Sequence, residues 1–213
     1  MKIRLALAGL LLMGSLTACS RVPGVYAYEK DGTVRAGAAA PFDPRTYVDG
    51  IWASKVLPTV QQNAVDVTTV AAAIEKDPAA AGRQYGKRTG TGSPFAYLVK
   101  GTGTVTEVDT DAPTGPLTVE IPGAKPLKIS IATGPVVAGT AIRDGVGFIK
   151  FGDFTNQIDY QNVANQLNNR VKTDVITKVP VKDLKGKKVT FAGAFSALAP
   201  GSILVVPTDL TAS

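Results

Sequence analysis

Apolar positions change their spacing several times along the 213-residue chain. Residues 5–13 are an almost unbroken apolar run. Residues 19–42 show no sustained period, and Pro23, Gly24, Gly32 and Gly37 interrupt them. A helical period follows. Tyr47, Val48, Ile51 and Trp52 share one face, behind Asp43-Pro44, which reads as an N-cap with proline at the first helical position. Leu57-Pro58 is expected to end or kink this helix. A second helix is predicted from near Asp66, with Val67, Val70, Ala71 and Ile74 on one face. Asp77-Pro78 opens a third, which runs through Tyr85 and stops at Gly86.

After a flexible joint at 90–94 the period becomes two. Phe95, Tyr97 and Val99 alternate, and the strand resumes at Val105 beyond Gly101 and Gly103, where a bulge or sharp bend is expected. Leu117, Val119 and Ile121 alternate, then Leu127, Ile129 and Ile131, around a Pro122-Gly123 turn; these read as a hairpin. Residues 134–157 read as loop, with a short strand at 148–151 and one helical turn near Ile142. A helix at 159–171 carries Val163, Ala164, Leu167 and Val171 on one face. Strands at 189–195 and 203–206, the latter continuing to Leu210, complete the chain.

Strand, strand, strand, helix, strand, strand is the order of an OB-fold, and barrel closure removes exposed edges from a chain with few strands. The predicted class is α+β, mainly β: an N-terminal helical segment packed on an OB-like five-stranded barrel with one helix between its third and fourth strands. A generic α+β sandwich is the alternative. The predicted divisions are a signal peptide (1–18), a lipidated cysteine with its tether (19–42), a helical segment (43–89) and the β domain (95–213).

The N-terminus carries the most specific signal. Lys2 and Arg4 precede the apolar run, which is too short to span a bilayer permanently. Leu16-Thr17-Ala18-Cys19 then resembles the lipobox of bacterial lipoproteins, in which the thiol receives the diacylglycerol after cleavage before the cysteine. Each buried acyl methylene contributes ~0.8 kcal/mol, and two or three chains hold a protein stably. The expected location is the periplasmic side of a membrane. Ser20, rather than an Asp, favours the outer one by resemblance to the sorting rule of enteric bacteria.

Composition then removes whole classes of chemistry. The chain has no histidine, and its single cysteine is Cys19. Ser-His-Asp and Cys-His centres cannot be built, nor can a histidine-ligated or multi-cysteine zinc site or an internal disulfide. No cofactor or metal is expected. The formal net charge is +6, of which Lys2 and Arg4 supply two. Lys182, Lys185, Lys187 and Lys188 either meet anionic headgroups or form a solvated loop.

Several stretches together resemble an uncharacterised family of predicted periplasmic lipoproteins: Phe42-Asp43-Pro44, Ile51-Trp52, Tyr97-Leu98-Val99-Lys100-Gly101, Gly134-Pro135-Val136, Ile142-Arg143-Asp144 and Asn156-Gln157-Ile158 with Tyr160. The resemblance runs from the lipobox through nearly the whole chain. Members of that family tend to be encoded beside ribose-type sugar ABC transporters. The resemblance implies a location and a transport setting, and no reaction.

The densest polar group is Arg143, Asp144, Asp153, Asn156, Gln157 and Tyr160, with Asp159, interleaved with Phe148, Phe151 and Phe154. Amides and carboxylates match vicinal hydroxyls, and aromatic faces cover the C–H side of a sugar ring. A sugar or polyol site is one reading. In the other, Arg143 and Asp144 pair to order the segment, Asn156 and Asp159 cap a helix, and the phenylalanines are core. Nucleic acid, which OB-like barrels elsewhere bind, is not expected with scattered cations, 7% aromatic residues and an envelope location. Asp109 and Asp111 read as turn residues. The expected function is a non-catalytic accessory lipoprotein of a sugar ABC transporter. A direct sugar or polyol binder is the second reading, and a carboxylate-dependent hydrolase the third.

Overall fold

The computed structural model describes residues 41–123, 127–197 and 201–213. The signal peptide, Cys19 and the tether up to residue 40 lie outside the described residues.

Aspartate caps start the N-terminal helices. Asp43 accepts the backbone N–H groups of Arg45 and Thr46 at 3.0 and 3.3 Å and opens α1 (Pro44–Ile51). The chain does not stop at Leu57-Pro58. A π-turn over Trp52–Val56 leads directly into α2 (Leu57–Asn63), closed by the Leu57 N–H on the Trp52 carbonyl. Pro58 thereby falls in the first turn of α2, where a missing N–H is tolerated, and the wide turn ahead of it absorbs the steric demand of its ring. Strand β1 (Val65–Asp66) precedes α3 (Val67–Lys76), capped by Asp66. Asp77 caps α4 (Pro78–Tyr85), which leads into β2 (Gly86–Lys87).

The five long strands are β3 (Ala96–Val108), β4 (Pro116–Glu120), β5 (Lys128–Ala132), β6 (Lys188–Ser196) and β7 (Ser202–Ala212). They run in the order β3-β4-β5-β7-β6, and β6 pairs back onto β3, so the barrel closes. Only the β5–β7 pairing is parallel within it. β3 serves both ends of this ring: Ala96–Thr104 pairs with β6 and Thr104–Val108 with β4, and a bulge between Val105 and Glu107 turns it. Glycine allows the tightest approach. A Cβ at Gly193 would lie 2.3 Å from the Val206 carbonyl oxygen, beside the register shift between β6 and β7.

Tyr97, Leu117, Ile129, Ile131, Phe191 and Phe195 fill the interior, with Tyr97 stacked on Phe195 at 5.0 Å. Full burial of such a side chain contributes about 1.5–3 kcal/mol. The helical segment is sewn to the outside of β3. β1 pairs parallel to it at Val65↔Val99, and β2 antiparallel at Gly86↔Tyr97.

Between β5 and β6 the chain forms α5 (Ala141–Val146) and α6 (Gln157–Asp174). The apolar face predicted for α6 is buried as spaced. The strand expected at 148–151 is not formed. Residues 147–150 are irregular, and Phe151–Asp153 is a single 3-10 turn. The edge of β3 outside the ring is taken by β1 and β2, and the apolar residues of this segment alternate poorly in burial: Ile149 is inside while Phe151 is 54% exposed. Among the described residues no helix is long and apolar enough to cross a membrane.

Candidate functional site

Helix α5 ends on Gly147, in the left-handed conformation at φ +74°, which releases the chain toward residues 148–153. Arg143 lies on this helix with 7% of its side chain exposed. Its Nε donates to Asp144 Oδ1 at 2.8 Å, and Nη1 donates to the Tyr160 carbonyl at 3.2 Å. The guanidinium carbon sits 3.7 Å from the centre of the Tyr160 ring. Asp144 Oδ2 accepts from the Thr140 hydroxyl at 2.6 Å. Arg143 therefore locks the start of α6 onto α5 and neutralises the neighbouring carboxylate in a place with little water.

The remaining polar residues singled out by sequence do not converge on this point. Asn156 is the N-cap of α6: its Oδ1 accepts the Asp159 N–H at 2.9 Å and its Nδ2 donates to Asp159 Oδ2 at 2.9 Å. Gln157 follows it in solvent. Asp153 is exposed, accepts the Lys150 N–H at 3.1 Å, and opens onto a separate hollow with Tyr47, Lys55, Gln62 and Phe148. Asp109 accepts the N–H groups of Asp111 and Ala112, each at 3.0 Å, as a turn aspartate does. Lys182, Lys185, Lys187 and Lys188 are solvent-exposed around a buried Leu184.

Asp144 and Tyr160 form part of a hollow of about 360 Å³ whose other walls come from Lys87, Arg88, Lys150 and Phe151. Lys87 and Arg88 were not singled out by sequence. The pairing of β2 with β3 carries them here, and no local pattern encodes that approach. Tyr160 is 7% exposed, and its hydroxyl is shut from solvent beside the Asp144 carboxylate and the Arg143 guanidinium. Burial raises its pKa above the usual 10.0; the Arg143 charge opposes this rise and Asp144 adds to it. The phenol is a neutral donor at any physiological pH. A line of ring contacts runs from Phe42 to Tyr47 (5.6 Å), Phe154 (5.5 Å), Tyr160 (5.5 Å) and Phe151 (5.6 Å), so Phe42, the last residue assigned to the tether, is packed against this region.

The pattern of predicted periplasmic lipoproteins (DUF2291) matches residues 16–211, a stretch that begins at the first residue of the lipobox and takes in every element described above. The chain belongs to this family. Membership places the lipoprotein in the cell envelope. It carries no statement of a reaction, a ligand or a choice of membrane. A similar solved structure is the crystal structure of an OB-fold protein from Thermotoga maritima, at 23% identity and a TM-score of 0.67, covering 81% of this lipoprotein and 99% of that chain. That likeness and the closed strand order agree on an OB-type barrel. A search of the curated proteins finds no match.

Proposed function

We propose that this lipoprotein is a non-catalytic accessory component of a sugar ABC transport system, held by acyl chains on Cys19 at the periplasmic face of the outer membrane, and that it docks on the soluble binding protein or the permease. The observation that carries the docking role is two large apolar side chains left in water at the entry to α6. Ile158 is 71% exposed and Phe151 is 54% exposed, on either side of the Asn156 cap. The Arg143, Asp153 and Asn156 side chains near them are engaged with the backbone, which leaves the apolar pair available as a contact surface. A partner that covered them would recover, for each, the part of about 1.5–3 kcal/mol that its present exposure leaves in water. The transport setting comes from the family resemblance and the lipobox.

Tagged, lipidated protein crosslinked in cells and recovered from envelope extracts tests this. Wild type is expected to bring down a sugar-binding protein or permease subunit, and Phe151→Ser/Ile158→Ser is expected to lose most of that recovery. Recovery of no transporter component by the wild type rejects the proposal. The second reading, a direct binder of a small sugar or polyol, is favoured by the hollow beside Asp144 and Tyr160.

A further inference from the structure

We infer that the hollow lined by Lys87, Arg88, Asp144, Lys150, Phe151 and Tyr160 is a binding site for a small hydroxylated anion of monosaccharide size, a sugar acid or a sugar phosphate. The inference rests on the second reading, the direct binder, and is tested on the purified protein alone.

Size comes first. About 360 Å³ falls at the lower end of the range that small-ligand sites occupy, roughly 300–1,000 Å³. Charge comes next. Three cationic side chains reach the hollow, and among the described residues none of them is in an ion pair. The one carboxylate lining it, Asp144, is already neutralised by the buried Arg143 at 2.8 Å. The hollow is thus strongly positive although a carboxylate lies in its wall. Two of the cations are held in place. The Arg88 guanidinium lies 4.9 Å from the centre of the Phe95 ring, and the Lys87 stem passes over Gly147, where an added Cβ would meet its Cδ at 3.4 Å.

The concave shape of the hollow and the acceptor in its wall separate a small molecule from a flat anionic surface. Asp144, with each carboxylate oxygen holding one hydrogen bond, retains lone pairs for a ligand hydroxyl. Phe151 offers an apolar edge to the ligand's C–H face. Acceptor, cations and an apolar wall together describe a polyol carrying one anionic group.

Titration calorimetry on the lipidated protein in a neutral detergent tests this. The probes are glucuronate, gluconate, glucose 6-phosphate, ribose 5-phosphate, inorganic phosphate and neutral glucose. At least one of the four hydroxylated anions is expected to bind saturably, about tenfold or more tighter than glucose and than inorganic phosphate. Lys150→Ala is expected to weaken it about tenfold. Lys87→Ala is expected to weaken it about as much while leaving the melting temperature unchanged, an outcome that a purely structural lysine does not give. Failure of all four anions to saturate by about 1 mM overturns the inference. So does an unaltered affinity in both Lys150→Ala and Lys87→Ala. Binding to phosphatidylglycerol vesicles, without binding to any free anion, would assign the three cations to a lipid surface and equally overturn it.

Discussion

The barrel and the connection from β5 to β6 are both buried structures, yet they are held by different forces. Inside the barrel the large buried side chains are apolar: Tyr97, Phe191, Phe195, Leu117, Ile129 and Ile131. Position is set there by ladder hydrogen bonds between strands, and mass fills what the ladders enclose. The connection has helices that share no ladder with the sheet. Its apolar faces are buried as well, Ile142, Val163, Leu167 and Val171 among them, and single polar side chains that reach distant carbonyls fasten it in addition. Arg143 donates to the Tyr160 carbonyl and Asn168 donates to the Gly139 carbonyl at 2.9 Å; both side chains are buried. A wall made of many small contributions gives way in proportion to the mass removed. A buried polar fastening behaves differently, because losing one partner strands the other.

The largest expected effect lies in the wall. Phe191 pairs across the strands with Gly101, and its ring fills the space that the glycine leaves: a Cβ at Gly101 would meet Phe191 Cζ at 3.0 Å. Phe191→Ala therefore removes the ring and leaves a cavity that the closed sheet cannot collapse onto. The expected cost is about 3–5 kcal/mol in urea unfolding. A cost below about 1 kcal/mol would mean that the barrel is not the principal store of stability.

A smaller but more diagnostic effect is expected in the connection. Arg143→Met leaves the Asp144 carboxylate, 12% exposed, with only the Thr140 hydroxyl as partner. Stranding one member of a buried pair costs about 3 kcal/mol, whereas replacing both members by apolar groups is close to neutral. Arg143→Met/Asp144→Leu is accordingly expected to be more stable than Arg143→Met alone. If the two changes are simply additive, the pair is not the fastening that distinguishes this region.

The same contrast explains what could be read from sequence. The barrel strands and α6 were legible because apolar spacing directly reports which face is buried, and the five-strand order then restricts closure. The aspartate caps at 43 and 77 and the asparagine cap at 156 were legible because a cap is a local event between residues two or three apart. The polar stretch from Arg143 to Tyr160 is close in sequence but only partly close in space. The 3-10 turn at Phe151–Asp153 sends Asp153 to a different hollow, and Asn156 spends its side chain on the backbone. Lys87 and Arg88 gave no signal, since only the pairing of β2 with β3, and the turn at Gly147 facing it, brings them to the hollow.

Acid extends the comparison to the helices. Asp43 and Asp77, the caps of α1 and α4, are held below the usual carboxylate value of 3.8. The Thr46 hydroxyl and the Arg45 N–H lower the first, and the Ala80 and Ala79 N–H groups lower the second. A carboxyl depressed by folding adds stability above its unfolded value, and that contribution is lost as the pH falls through the folded one. The cap of α6 is Asn156, which does not ionise. Backbone hydrogen-exchange protection, corrected for intrinsic rates, is therefore expected to fall in α1 and α4 as the pH drops from about 5 through and below 3.8, and to fall less in the first turn of α6. Asp77→Asn keeps an acceptor without the titration, so it is expected to flatten the acid response of α4 and leave that of α1 unchanged. Equal loss in all three helices, with Asp77→Asn behaving as wild type, would show that acid acts on the whole fold rather than through these two caps.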